Sequence, residues 1–131
     1  MEMRKLLAFI LLCCILSGVA LADSDDSISS IDCGNGSVFV IMDDGKLVAW
    51  GDNSGGLIAG NNHKNIKYED RCLLMSSAKS ISVGEKCVLA INTDDELFGW
   101  GNDGDMSLLC GKSNGGIAKA PVKLMDDVIC A

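Results

Sequence analysis

The chain has 131 residues and a formal net charge of −7 at pH 7, from 11 basic and 18 acidic side chains. This acidic balance argues against a nucleic acid partner, because phosphates are bound by clusters of Lys and Arg. It also argues against docking of the mature chain on anionic membrane surfaces. With one histidine, His63, and no CxxC pair, we expect no catalytic site, no metal and no cofactor.

The first 22 residues have the parts of a secretory signal peptide. Arg4 and Lys5 supply a positive start, residues 6–16 form an apolar run, and Ala20 and Ala22 are small residues at the positions that a signal peptidase reads. We expect cleavage after Ala22, a short acidic linker at residues 23–27 and a secreted mature chain. The alternative is an uncleaved anchor, but the apolar run is shorter than the roughly 20 residues of a spanning helix.

The rest of the sequence contains one pattern twice, at a constant offset of 50 residues. Aligning residues 31–51 with residues 81–101 gives eight identities in 21 positions without a gap. A match of this length indicates a repeat architecture. The residues for which we expect a structural role in the repeat are Gly34 and Gly84, Leu47 and Leu97, Trp50 and Trp100, and Gly51 and Gly101.

Each copy has the pattern of short β-strands joined by tight turns. Two apolar runs, residues 37–42 and 46–50, flank Asp43-Asp44-Gly45, which is a hairpin signal. The same arrangement recurs 50 residues later with Thr93-Asp94-Asp95 as the turn, where Asp replaces Gly but tolerates the left-handed conformation. A further strand leads into the first glycine of each copy. Because no sustained helical period follows residue 22, we predict an all-β fold.

The order of these elements resembles the repeat of the regulator of chromosome condensation family. In the second copy the family pattern reads Val83-Gly84, Val88-Leu-Ala-Ile91, Asp94-Asp95 and Leu97-Phe-Gly-Trp100-Gly101-Asn102. The resemblance covers most of residues 28–131 and implies a β-propeller in which each repeat supplies about one four-stranded blade. It implies copy one at residues 31–60, a connector at 61–77, copy two at 78–111 and the start of copy three at 121–131.

This resemblance predicts two blades plus the first strand of a third, an incomplete and open propeller. Members of the family close a ring of about seven blades, within the general range of four to eight. An arc of two blades leaves apolar faces and strand edges uncovered. We therefore expect a piece of a longer protein, a ring closed by self-association through exposed blade faces, or a marginally stable arc.

Five cysteines follow the leader, and their odd number leaves at least one free or bonded to another molecule. They are Cys33, Cys72, Cys87, Cys110 and Cys130. Small residues occupy the equivalent positions of Cys33 and Cys87 in the other copy. This favours buried thiols, with Cys72 as the best candidate for a disulfide. We expect each tryptophan to pack, with its indole N–H bonded to backbone.

Function is expected in the variable loops, since loops on a rigid sheet scaffold usually carry binding residues. The candidate partner-binding residues are Asp52, Asn53, His63, Tyr68, Asn102 and Asp103. The signal peptide predicts a secreted chain, and the resemblance favours a non-enzymatic module that binds a protein partner. One form is an inhibitor of an extracellular enzyme, because a secreted protein of this fold type inhibits a β-lactamase. A loop-built hydrolase is the remaining alternative, and it lacks a second histidine and a nucleophile motif.

Overall fold

A computed structural model describes residues 27–58, 64–102 and 117–129, which form two antiparallel sheets. The first sheet, blade 1, contains β1 (Ile28–Gly34), β2 (Ser37–Met42), β3 (Leu47–Asp52), β4 (Asn65–Ile66) and β5 (Cys72–Met75). The second, blade 2, contains β6 (Ala78–Val83), β7 (Cys87–Asn92), β8 (Leu97–Asn102) and β9 (Ile117–Met125). The predicted all-β fold with two propeller-type blades is confirmed.

Helical structure in the described ranges is limited to a 3₁₀ helix, Tyr68–Asp70, between β4 and β5. No helix in these ranges is long and apolar enough to cross a membrane.

The two blades repeat the same meander with the same register. In blade 1 the strands follow the order β1, β2, β3, and in blade 2 the order β6, β7, β8. Val38 lies opposite Trp50 across β2 and β3, and Val88 lies opposite Trp100 across β7 and β8. The offset of 50 residues in the sequence is therefore an offset of one blade in the structure.

The hairpin turns behave as predicted, including the turn that lacks glycine. Gly45 has φ 82° and the equivalent Asp95 has φ 59°, so both lie in the left-handed region. Equivalent backbone bonds close the two turns, from Met42 N to Lys46 O at 2.9 Å and from Asn92 N to Glu96 O at 3.1 Å. Aspartate thus replaces glycine in the second turn without changing the register of its hairpin.

The fourth strand of each blade comes from segments that the repeat alignment assigns elsewhere. Residues 61–77, expected as a connector, contain β4 and β5, which both pair with β3. Residues 121–125, expected in a third copy, belong to β9, which pairs with β8. These strands complete the hydrogen bonding of β3 and β8 through backbone groups. Backbone groups are present whatever the side chains are. Their sequences therefore need not match between copies.

The end of blade 2 repeats the link between the blades. Ala78 N donates to Gly45 O at 2.8 Å, and Val128 N, 50 residues later, donates to Asp95 O at 2.8 Å. The backbone bond where the chain leaves blade 2 is therefore equivalent to the bond where the chain passes from blade 1 to blade 2. Val128 belongs to the expected start of a third copy. The last two residues of that segment, 130 and 131, lie outside the residues that the structure describes.

The apolar core lies between the two blades. Blade 1 contributes buried Phe39 and Leu47 from one face of its sheet, and blade 2 contributes buried Val88 and Trp100 from the facing side. The inner strands β1 and β6 approach closely at Gly34, where an added Cβ would lie 2.8 Å from the Cγ1 atom of Val83. Gly34 is thus required where two blades meet.

The glycine after each tryptophan has a backbone conformation that side chains rarely adopt. Gly51 has φ 113° and Gly101 has φ 122°. An added Cβ would lie 2.5 Å from Gly36 O in blade 1 and 2.4 Å from Lys86 O in blade 2. At both positions a side chain would strain the backbone conformation and overlap a backbone oxygen. This explains why glycine follows tryptophan in both copies.

The cysteines differ in exposure. Cys33 is exposed, so the expectation of a buried thiol is wrong there: it lies on the side of blade 1 that faces away from blade 2. Cys87 and Cys72 are half-buried. A disulfide at Cys72 stays a prediction, and Cys110 and Cys130 lie outside the described residues.

Candidate protein-binding surface

A short loop after β3 fills the space between the blades. The Asn53 side chain accepts a hydrogen bond from Ile58 N at 2.8 Å, and the Asn53 carbonyl accepts one from Gly56 N at 3.0 Å. These bonds fold the loop so that Leu57 and Ile58 are fully buried. Asn53, a candidate partner-binding residue from the sequence, is itself 5% exposed and holds the shape of the loop.

The two tryptophans have equivalent positions but different surroundings. Trp100 is fully buried, and its indole N–H donates to Leu57 O at 2.7 Å. This confirms the predicted packing role with a backbone acceptor. Trp50 is half-buried and meets the Tyr68 ring edge-on at 5.2 Å between centroids. Among the described residues no acceptor for its indole N–H is found.

Tyr68 lies on the outer side of blade 1. It is 49% exposed, and the Arg71 guanidinium lies 4.6 Å from the centre of its ring. With Trp50 these residues form a partly exposed aromatic and cationic group. Such residue types dominate the binding energy of many protein interfaces, so Tyr68 remains a candidate for partner contact.

Asp32 joins the two inner strands and was not found by sequence reasoning. One of its carboxylate oxygens accepts from Cys33 N at 2.8 Å and the other from Val83 N at 2.7 Å. Cys33 and Val83 occupy the same position in the two copies, so one carboxylate bonds the equivalent amide of both blades. The only signal in the sequence is an acidic residue inside a predicted strand, where copy two has Ser82.

A cleft opens at the end of the arc where equivalent loops of both blades meet. It has a volume of about 390 Å³, and we call it the loop cleft. Its lining residues are Asn35, Ser54, Gly55, Glu85, Lys86 and Asn102. Equivalent backbone bonds fix these loops, from Asp52 N to Gly36 O at 3.0 Å and from Asn102 N to Lys86 O at 2.7 Å.

The blade 1 side of the loop cleft is held in one shape by local hydrogen bonds. Asn35 and Gly36 both have positive φ, 49° and 75°, as in a two-residue hairpin turn. The Asp52 carboxylate accepts from Ser54 N at 2.8 Å, and this bond lowers the pKa of Asp52 below its ordinary value. The buried Ser37 hydroxyl donates to the Asp52 carbonyl. The turn therefore presents Asn35 from a fixed backbone.

The blade 2 side contributes charge. Glu85 and Lys86 are adjacent and exposed, so the loop cleft combines both signs of charge with amide and hydroxyl groups. This lining suits hydrogen bonding to a polar protein surface rather than burial of an apolar ligand. No group of three His, Cys, Asp or Glu side chains suited to a metal ion occurs within the described ranges.

The candidate residues from the sequence fall at different places. Asp52 and Asn102 lie at equivalent strand ends, and Asn102 lines the loop cleft. Tyr68 lies on the outer side of blade 1, and Asn53 is buried between the blades. His63 and Asp103 lie outside the described residues.

Comparison with known proteins assigns the repeat. Residues 28–56, which run from β1 through the loop after β3, match the family model described as Regulator of chromosome condensation (RCC1) repeat. This segment is therefore similar to one RCC1 repeat. Blade 2 repeats the strand order and register of blade 1.

Solved structures with the same fold include human WBSCR16, with a TM-score of 0.62 and 23% identity over 80% of this chain and 27% of that chain. Prp20p from Saccharomyces cerevisiae gives a TM-score of 0.64 and 21% identity over 80% of this chain and 25% of that chain. Yeast RCC1 (Prp20) in its complex with Kap60 gives a TM-score of 0.56 and 21% identity over 74% of this chain and 25% of that chain.

These likenesses show the fold, in which the two sheets are propeller-type blades. The chain spans about a quarter of the length of each of these solved proteins.

Proposed function

We propose that the chain is a secreted, non-enzymatic module that binds a protein partner through the loop cleft. The observation that carries this proposal is the meeting of equivalent loops from two RCC1 repeats at one end of a rigid pair of sheets. Among similar structures, Prp20p is described with binding properties to Gsp1p and histones, and yeast RCC1 is seen bound to Kap60. Secretion is supported by the signal-peptide pattern of residues 1–22.

The size of the loop cleft fits the centre of a protein interface. A volume of about 390 Å³ accepts a few side chains of a partner, whereas a stable interface covers about 800 Å² on each protein. The surrounding rim would include the turn at Asp52 and the exposed pair Glu85 and Lys86. Since the loops are already fixed by backbone bonds, little ordering entropy is lost on binding.

The charge of the chain favours a basic partner. At a net charge of −7, the chain attracts a positively charged surface over a distance set by the ionic strength. The association rate should therefore fall as salt is raised, while the dissociation rate changes less.

An extracellular enzyme is the specific partner class that the turn at Asn35 favours. Asn35 and Gly36 form a two-residue turn whose exposed tip stands at the edge of the loop cleft. A rigid projecting turn enters an active site at low entropic cost. Inhibition of such an enzyme is thus the form of the proposed function to examine first.

The experiment is capture of partners from the extracellular fluid of the source organism by the purified chain, compared with Glu85→Lys. We expect Glu85→Lys to reduce capture of the main partner at least tenfold, about 1.4 kcal/mol, because it places a positive charge in the loop cleft opposite a basic partner. Glu69→Lys makes the same charge change on an exposed residue outside the loop cleft and should capture normally.

Equal capture by Glu85→Lys and the unchanged chain would contradict the use of the loop cleft. Hydrolytic turnover by the purified chain that is lost on His63→Ala would contradict the non-enzymatic assignment.

A further inference from the structure

Two sheet faces of the arc have no blade packed on them within the described residues. The first, the Trp50 face, is the side of blade 1 opposite to blade 2, and it carries Ile31, Cys33, Val38, Trp50 and Leu73. The second, the Leu89 face, is the side of blade 2 opposite to blade 1, and it carries Leu89, Leu97, Val122 and Met125.

Both faces carry exposed apolar residues. Leu89 is 37% exposed, whereas Phe39, at its position in blade 1, is fully buried. On the Trp50 face Ile31 is 63% exposed and Leu73 is 56% exposed, whereas Val40 and Val48 on the same face are buried. The difference in exposed fraction between Leu89 and Phe39 shows how much of such a side chain a neighbouring blade covers.

The contact between blade 1 and blade 2 shows what covers such faces. There the Trp100 side of blade 2 packs on the Phe39 side of blade 1. The Trp50 face is the counterpart of the Trp100 side, and the Leu89 face is the counterpart of the Phe39 side, each at the offset of 50 residues. The Trp50 face and the Leu89 face therefore correspond to the two surfaces that pack on each other between blade 1 and blade 2.

We infer that copies of this chain associate head to tail, with the Trp50 face of one copy packed on the Leu89 face of the next. Such an interface is heterologous, because two different surfaces of the same chain meet. Each added copy presents a new free face of each kind. Association therefore continues as an open chain or ends in a ring when the blades complete a circle of roughly four to eight.

The chemistry of the Trp50 face supports this partner. Trp50, Tyr68 and Arg71 are of the residue types that contribute most to protein interfaces, and Tyr68 contacts both of the others. The loop cleft lies at the end of the blades, so this association is independent of the proposed function.

The test uses two variants that each disable one face, Ile31→Asp and Leu89→Asp. Sedimentation velocity of the full chain between about 1 and 100 μM should show a mass that rises with concentration. Each variant alone should lose association at least about tenfold, since an aspartate would be buried without a partner. Mixed together, they should form one-to-one heterodimers, because Ile31→Asp keeps the Leu89 face and Leu89→Asp keeps the Trp50 face.

Heterodimer formation also shows that both variants are folded. If Ile31→Asp does not fold, Leu73→Asp replaces it, since Leu73 lies on the same face and is exposed. Thr93→Asp adds the same charge in an exposed turn outside both faces and should associate like the unchanged chain. A monomer at all concentrations, or association that persists in both single variants, would overturn the inference.

Discussion

Blade 1 and blade 2 place the same residues at equivalent positions, yet those residues have different surroundings. Trp100 is fully buried with its indole N–H on a backbone oxygen, whereas Trp50 is half-buried against Tyr68. Phe39 is fully buried, whereas Leu89 is 37% exposed. The repeat thus determines the backbone and the register, and the neighbouring blade determines how much each side chain contributes to stability.

The outer strands differ as well. In blade 1 the strand is split into β4 and β5 by the 3₁₀ helix that carries Tyr68. In blade 2 it is continuous, and Lys123 of β9 forms ion pairs with Glu96 at 2.6 Å and with Asp126 at 2.5 Å. Blade 1 therefore presents an aromatic residue at its outer edge, whereas blade 2 has an outer strand tied to its hairpin by charge.

The largest expected effect separates the two tryptophans. Trp100→Ala should lower the free energy of unfolding by about 3–5 kcal/mol, since it empties a fully buried site. Trp50→Ala should cost about half as much or less, because its ring already contacts solvent. Urea unfolding of the two variants measures the difference, and equal losses would contradict the assignment of Trp100 to the contact between blades.

The next effect concerns the glycine after Trp100. Gly101→Ala should cost about 2–4 kcal/mol, because it combines a left-handed conformation with overlap at Lys86 O. Gly56→Ala is the matched control, since Gly56 has φ 71° but open space around it, and it should cost about 1–2 kcal/mol. Thermal unfolding compares the two variants, and a larger loss for Gly56→Ala would refute the steric explanation.

A smaller effect is expected at the bond between the inner strands. Asp32→Ala should cost about 1–3 kcal/mol, because it removes the acceptor of Cys33 N and Val83 N. Asp32→Asn keeps one acceptor oxygen and should cost less. Amide hydrogen exchange at Val83 should accelerate in Asp32→Ala, and unchanged exchange would show that the carboxylate does not link the blades.

The smallest effect is a pH dependence of β9 in blade 2. Hydrogen bonds from Lys123 and then Asn92 lower the pKa of Glu96 below its ordinary 4.5. A lowered pKa in the folded state gives stability that is present above about pH 4.5 and is lost as the pH falls through the folded value. The protection of β9 amides from exchange, corrected for the intrinsic pH dependence of exchange, should therefore fall in acid and lose this dependence in Glu96→Gln. In blade 1 the pair of Asp44 and Lys46 lies within a turn, so β5 should respond less.

The local part of the fold was predictable from sequence. β2 (Ser37–Met42) and β7 (Cys87–Asn92) begin and end as predicted, because β-branched residues and Asp-rich turns act over a few residues. The fourth strands were not predictable from the repeat, since β4, β5 and β9 pair through backbone groups. Their side chains carry no repeated signal.

The candidate site was predictable only in part. Asp52 and Asn102 follow from the strand ends of the repeat, and of the two Asn102 lines the loop cleft. Asn53 resembles an exposed loop residue in the sequence, but its side chain bonds to the backbone of a buried loop. Asp32 acts on Val83, 51 residues away, and no local pattern reveals such a contact.

Hydrogen exchange of the two indole N–H groups tests the central claim most directly. The chain has two tryptophans, so a proton–nitrogen spectrum shows two indole signals, and Trp100→Phe assigns them. At a concentration where the chain is monomeric, the Trp100 signal should exchange only on unfolding, and the Trp50 signal should exchange far faster. Equal exchange of both signals would contradict an arc in which blade 2 packs its tryptophan on blade 1.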